Sequence, residues 1–320
     1  MKKSFTKITV FILAVVFMLS ITACSDKRNQ PVEPDIPDDP KVTEPLIYSH
    51  VVILGVDGAG AFFNQTDTPN IDRIFADGAT TYSASAEIPT ISAQNWGSMI
   101  HGVACDVHGF TNDIISASTI DSSYEYPSIF KVIKGCKPEA NLCSVVKWGP
   151  INYGLVEWDI GVHMYDCEND LEVTEMTERM IKDFYPEFLF VQFDEVDETG
   201  HSYGYGSQEY LDRITTIDGY IGRIFDTYDE LGILADTLFI VVADHGGTNF
   251  RADGVDYHDH GGTTPEETNV FLGIAGPSVA NTELKDVRNR DVAAITAAAL
   301  GIEIPEIWTS KVPEGLFTDR

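Results

Sequence analysis

The sequence predicts an α/β domain, a mostly parallel central sheet with helices on both faces. Short β-branched apolar runs alternate with longer stretches of helical periodicity. Those runs are apolar at consecutive positions, as strands covered on both faces must be. A third observation places a site on this frame. Asp57, Asp197 and Asp244 each stand at, or a few residues past, the end of such a run. Ligands of open α/β sheets bind beyond the carboxyl ends of the strands, so the three acids are expected to converge on one edge.

Residues 1–23 read as a signal peptide. Lys2, Lys3 and Lys7 make a basic start, and Val10 to Leu19 is apolar but too short for a membrane span. Ile21-Thr22-Ala23-Cys24 resembles a bacterial lipobox, which implies cleavage before Cys24 and a lipid on that cysteine. The expectation is an exported protein held on a bacterial membrane. Residues 24–46 carry Pro31, Pro34, Pro37, Pro40 and Pro45 and read as an extended tether. Residues 47–320 then suit one large α/β domain.

Within that domain His50 to Val56 reads as a buried strand ending at Asp57-Gly58. Thr68-Pro69-Asn70 starts a helix through Ala76, with the threonine as cap and proline in the first turn. Leu142 to Lys147 is a strand, Leu171 to Phe184 a helix and Glu187 to Phe193 a strand. Gln208 to Leu231 is helical. Thr237 to Ala243 is a strand that runs into Asp244-His245-Gly246-Gly247, and Asn269 to Ala275 and Val292 to Leu300 add a strand and a helix.

The formal charge is −29, which argues against binding nucleic acid through a basic surface. Four cysteines follow Cys24, namely Cys105, Cys136, Cys143 and Cys167. In an exported chain that even number permits two disulfides, and Cys136 and Cys143 are close enough in sequence to close a small loop. The chain has no CxxC pair, which disfavours a thiolate metal site.

Three segments carry metal-ligand chemistry. Asp197-Glu198-Thr199-Gly200-His201 puts a carboxylate and an imidazole in one glycine-containing turn. Asp244-His245 puts both at a strand end, and His258-Asp259-His260-Gly261 supplies a further imidazole from either histidine. Mixed oxygen and nitrogen donors suit zinc. Each segment alone is common, and a strand-end aspartate is often only a cap; their joint occurrence in order is what points to a site. For a nucleophile, Pro89-Thr90-Ile91-Ser92 offers two hydroxyls. Ser92 opens a helix toward His101-Gly102, where the positive helix end favours an alkoxide, and Thr90 is its competitor.

Together, Asp57 after its strand, Thr68-Pro69-Asn70-Ile71-Asp72-Arg73, Pro89-Thr90-Ile91-Ser92-Ala93-Gln94-Asn95, Asp197-x-x-Gly-His201, Asp244-His245-Gly246 and His260-Gly261 resemble the alkaline phosphatase superfamily. The nearest branch is the type I phosphodiesterase/nucleotide pyrophosphatase group. The resemblance runs from about Val51 to Gly301. It implies two zinc sites, with other divalent cations also compatible: Asp197, His201 and His260 at one, and Asp57, Asp244 and His245 at the other with Ser92 beside it. It also implies that Asn95 donates a hydrogen bond to a phosphoryl oxygen. The chain departs from that branch, which usually has threonine as nucleophile and Phe-Pro before the asparagine.

These implications frame a phosphoseryl mechanism on a small phosphate-ester substrate. Three aspartates and the Ser92 alkoxide would balance two zinc ions, which leaves little surplus charge for a monoester dianion. Glu87 to Asp106 contains no arginine or lysine, and a monoanionic diester or pyrophosphate suits such a site better; Lys147 and Arg251 are the distant cations that would reverse this. Trp96, Tyr153, Trp158 and Tyr203 are candidates for a wall against a leaving group, or are plain core and surface aromatics. The rival readings are a phosphomonoesterase, a phosphomutase, a sulfatase (for which Ser92-Ala93-Gln94-Asn95 lacks the required proline and arginine) and a binding lipoprotein without turnover.

Overall fold

Consecutive apolar residues need cover on both faces, and in a computed structural model that describes residues 48–318 the runs pair side by side into a sheet against which helices pack. The strands are β1 His50–Val56, β2 Ala79–Ser85, β3 Leu142–Val146, β4 His163–Asp166, β5 Phe188–Phe193, β6 Thr237–Ala243, β7 Thr248–Ala252, β8 Val255–Asp259, β9 Asn269–Ala275 and β10 Thr282–Glu283. Eight form one sheet in the order β10-β2-β9-β6-β1-β5-β3-β4, while β7 and β8 make a separate hairpin. From β6 to β4 the sheet is wholly parallel; β9 runs antiparallel to both its neighbours.

Every residue of β3, β5 and β6 is buried. That is the signature of a sheet covered on both faces, as the sequence predicts. One helical group comprises Pro69–Ile74, Asp170–Phe184, Glu195–Tyr203 and Gln208–Glu230, which pack on one another; Ser92–His101, Ile129–Cys136 and Asp291–Ala299 form a second.

Strand ends decide the site. In the central β6-β1-β5 trio, Val56 of β1 pairs with Phe193 of β5 and with Ala243 of β6. The three strands therefore stop level, and the acidic residues just beyond them start from one edge.

Several local expectations are corrected. Thr68 makes no side-chain cap for the helix Pro69–Ile74. Asp218, from the long helix Gln208–Glu230, accepts from the Asn70 and Ile71 backbone N–H groups at 3.1 and 2.8 Å instead. A carboxylate supplies what the threonine does not, and ties two helices together. Cys105, Cys143 and Cys167 are free thiols, so no disulfide loop closes between Cys136 and Cys143. Cys143 is buried within β3, and burial pushes its thiol up to about 12. The strands β2, β4, β7, β8 and β10 have no apolar run to announce them, and pairing alone makes them strands.

The signal peptide expected over residues 1–23, the lipid site expected at Cys24 and the tether expected up to residue 46 lie outside the described residues. Among those described, no helix is long and apolar enough to cross a membrane.

Candidate active site

Asp57 follows β1 directly, and Asp244 and His245 follow β6. Asp197 and His201 sit in the helix Glu195–Tyr203 rather than in a turn; four residues apart, they share a helix face. His260 leaves the foot of the β7-β8 hairpin. The turn after β1 needs Gly58, whose φ is +66° and whose Cβ, were there one, would stand 2.2 Å from Asp197 Oδ1.

Each imidazole is held the same way. His201 Nδ1 is 2.8 Å from the His258 carbonyl oxygen, His245 Nδ1 2.9 Å from that of Gly246, and His260 Nδ1 2.7 Å from that of Thr90. A carbonyl accepts only, so each Nδ1 carries a proton and each Nε2 is the atom turned toward the carboxylates. The carboxylates are divided likewise. Asp57 Oδ2 accepts from Trp96 Nε1 (2.8 Å) and Gln192 Nε2 (3.0 Å). Asp244 Oδ1 accepts from the backbone N–H groups of Gly58 (3.0 Å) and His245 (2.8 Å), and Asp197 Oδ1 from the Tyr205 hydroxyl (2.8 Å).

One oxygen of each acid remains, and these oxygens face the Nε2 atoms. His201 Nε2 lies 3.1 Å from Asp197 Oδ2, and His260 Nε2 lies 3.8 Å from the same oxygen. His245 Nε2 lies 3.2 Å from Asp244 Oδ2 and 3.5 Å from Asp57 Oδ1. Two sets come within metal-ligand reach: Asp197, His201 and His260; and Asp57, Asp197 and His245. Asp244 flanks the second through its contact with His245.

The donor set fits divalent cations. Asp57 Oδ1 and Asp244 Oδ2 are buried with no hydrogen-bond partner, an expense that bound cations would offset. Burial first, and then mutual repulsion with the neighbouring aspartates, holds the Asp57 carboxyl well above the usual range; burial does the same to Asp244. Burial pushes His245 down to about 3, so its imidazole is neutral. The hydrogen bond to Asp197 raises His201 to about 9. Burial opposes ionisation of Asp197, but the bond to His201 and the nearby His245 and His260 outweigh it and hold this carboxyl below the usual range.

Ser92 begins the helix Ser92–His101 behind Ile91, and its side chain makes no cap. Its hydroxyl is 3.2 Å from His245 Nε2. Thr90, the rival hydroxyl, is fully buried: its Oγ1 donates to the Gly262 carbonyl and accepts from Gly261 N–H, which holds the His260 segment. His260, not His258, joins the cluster; His258 Nδ1 bonds to Asn249 Oδ1 within the hairpin.

Asn95 does not face a substrate. It is fully buried. Its Oδ1 accepts from Glu87 N–H and Asn289 Nδ2, both at 2.7 Å, and its Nδ2 donates to Ile91 O and Glu87 O. The amide is consumed in bracing the loop before Ser92. Asn112, missed in the sequence, is better placed. Its Oδ1 accepts from the Ala93 backbone N–H at 3.0 Å, one residue past Ser92, and the residue is exposed. The signal available was the helix start at Thr111-Asn112, where Thr111 caps through Ile114 N–H.

The distant cations are committed elsewhere. Lys147 Nζ pairs with Asp194 (3.1 Å) and Glu198 (2.5 Å), and Arg251 with Asp256 on the hairpin (3.1 Å). Of the candidate wall aromatics, Trp96 is buried against Asp57, whereas Tyr153, Trp158 and Tyr203 are exposed.

A mostly parallel sheet that gathers aspartates, histidines and one serine at its carboxyl edge defines a protein of the alkaline phosphatase superfamily. Residues 51–129 and 130–312 match the family described as type I phosphodiesterase / nucleotide pyrophosphatase, and the chain belongs to that family. Among curated relatives, GPI ethanolamine phosphate transferase 1 of Candida glabrata is 23% identical over 77% of this chain and 30% of its own length. Human ectonucleotide pyrophosphatase/phosphodiesterase family member 1 is 24% identical over 56% of this chain and 21% of its own length. The chain thus spans less than a third of these relatives. Murine ectonucleotide pyrophosphatase/phosphodiesterase 5, of which an inactive form was solved with AMP, superposes with TM-score 0.64 at 13% identity over 81% of this chain and 97% of that one. A 2-O GAG sulfatase has the same fold, with TM-score 0.62 at 12% identity over 82% of this chain and 72% of that one.

Proposed function

We propose that this chain is an exported, lipid-anchored hydrolase that cleaves phosphoric diesters or pyrophosphates with two zinc ions and Ser92 as nucleophile. One observation carries the reading: three imidazole Nε2 atoms and three carboxylate oxygens face one another beside the Ser92 hydroxyl, and each is held by a bond from its other ring nitrogen or oxygen. Asp197, His201 and His260 would hold one ion, and Asp57, Asp244 and His245 the other. When bound, such ions activate a hydroxyl at neutral pH and stabilise the oxygens that enter and leave in an in-line displacement.

The chain's own residues supply the rest. The helix Ser92–His101 directs its positive end at the Ser92 oxygen. Ser92 Oγ forms the bond to phosphorus, the leaving oxygen departs, and water then cleaves the phosphoseryl ester. With its Oδ1 anchored on Ala93, Asn112 offers its amide N–H groups to a phosphoryl oxygen, the role expected of Asn95. A neutral donor in place of a cation favours a monoanionic diester over a monoester dianion. Lys147 and Arg251, each paired with carboxylates, support the same preference.

The decisive experiment compares an aryl phosphodiester with the matching monoester on zinc-loaded protein. The diester is expected to turn over faster, and a wide margin for the monoester would replace this reading with a phosphomonoesterase. Metal analysis separates both from a binding protein without turnover: the enzyme carries about two zinc ions per chain. Relatives named as transferases support a second reading, in which an acceptor hydroxyl replaces water in the last step. Alcohol-dependent product formation would favour it. Export and anchoring are tested by labelling with a radioactive fatty acid, which Cys24→Ala should abolish.

A further inference from the structure

Gly55, the next-to-last residue of β1, is a costly choice, since glycine in a strand packs nothing and commonly marks a close approach. Here the approach is Trp96: a Cβ on Gly55 would lie 2.4 Å from the indole Cη2. The indole is buried edge-on against Phe190 of β5 (centroids 5.8 Å apart, 85° between planes), and its Nε1–H donates to Asp57 Oδ2 at 2.8 Å. A second donor reaches that oxygen from β5. Gln192 is the polar residue of the otherwise apolar run Phe188–Phe193, and it is fully buried. Its Nε2 donates to Asp57 Oδ2 (3.0 Å) and Asp194 Oδ1 (2.9 Å), and its Oε1 accepts from the Lys147 and Trp148 backbone N–H groups. Both amide protons and both acceptor positions are thereby used.

Packing alone would require neither group, because phenylalanine and methionine fill such spaces without a polar atom to satisfy. We infer that Trp96 and Gln192 form a two-donor clamp that commits Asp57 Oδ2 to the protein and turns Oδ1 to the cation beside Ser92. They are positioning residues. Asp57 Oδ1, buried and without a hydrogen-bond partner, is the atom the clamp presents. Trp96 also lies four residues after Ser92 on one helix, and residues so spaced share a helix face. One rigid element therefore sets both the nucleophile and the carboxylate it works beside, and Gly55 is the space that permits it. This inference rests on the two-cation reading under Proposed function.

The test is a zinc titration of metal-free protein against a chromophoric chelator, with no turnover measured. Gln192→Met keeps bulk and loses a donor, and Trp96→Phe loses its donor together with part of the ring. Each is expected to weaken one of the two ions by about tenfold or more and leave the other unchanged, in line with the usual effect of groups that orient a ligand. A packing role alone would lower the melting temperature and leave both affinities intact. Should Trp96→Phe fail to fold, Gln192→Met reads the same quantity. Affinities within about twofold of wild type for both ions in the folded variants would overturn the clamp. A wild-type protein that takes up fewer than two ions would instead overturn the cation reading itself, so the two failures are distinguishable.

Discussion

The two halves of the site are built from different kinds of structure. Asp57, Asp244 and His245 stand directly after β1 and β6, neighbouring strands whose last residues pair in register, and their side chains are 0–2% exposed. Asp197, His201 and His260 come from a helix and a hairpin foot, and the His201 side chain is 38% exposed. The inner half inherits its geometry from the ladder of the sheet. The outer half is assembled by packing between elements far apart in the chain, and it meets solvent. The contrast extends to protons: burial drives His245 down to about 3, whereas Asp197 holds His201 up at about 9. Strand ends thus supply a dry half-site beside Ser92, and a helix with a hairpin supplies an accessible half-site.

The largest effect belongs to the inner half. Ser92→Ala is expected to lower diester turnover by at least about a thousandfold while both zinc ions remain bound. Activity near wild type in that variant would move the nucleophile elsewhere and dissolve the contrast. Next come the two asparagines. Asn112→Ala should reduce kcat/KM by about a hundredfold, the order seen when a transition-state donor is removed, with little change in melting temperature. Asn95→Ala should chiefly cost stability, about 2 kcal/mol by denaturant unfolding, because its buried partners are left unpaired. The reverse pattern would restore Asn95 to the substrate.

His201→Ala sharpens the comparison directly. Loss of one ligand from the open half should weaken a single ion, and excess zinc should recover part of the activity; His245→Ala should resist such rescue, since it leaves buried carboxylates without their partner. Equal rescue of both variants would mean that the halves are equally accessible. The smallest effect is kinetic. Chelator is expected to strip zinc in two phases, and His201→Ala should accelerate only the faster one, as followed by a zinc-sensitive dye. A single phase would argue against unequal halves.

Much of the frame was legible in the sequence. The bounds of β1, β6 and β9 agree with those of the runs that predict them, because residues covered on both faces must be apolar throughout. The convergence of Asp57, Asp197 and Asp244 was legible for the same reason. Less legible was the hairpin β7-β8: its strand residues are polar or exposed, so no core pattern marks it. Nor was it legible that Asp197 and His201 lie on a helix, since Gly200 between them reads as a turn residue. The family motifs selected His260 over His258. What distinguishes the two in space is the Thr90 carbonyl that holds the His260 ring and the Asn249 side chain that holds His258.

The sequence by itself determined the fold class, the identities of the ligand-type side chains and the helix that Ser92 begins. These depend on local periodicity and on the chemistry of single residues. Only the tertiary structure decided which atom of each residue is presented: Nε2 rather than Nδ1, and one carboxylate oxygen rather than the other. That choice is made by hydrogen bonds from partners as distant as Gln192 is from Asp57 and Thr90 from His260. It likewise set Asn95 into the core and left Asn112 bonded to Ala93, next to Ser92. A side chain's role follows from which of its atoms are already bonded, and those bonds form between elements that the order of residues does not bring together until the chain folds.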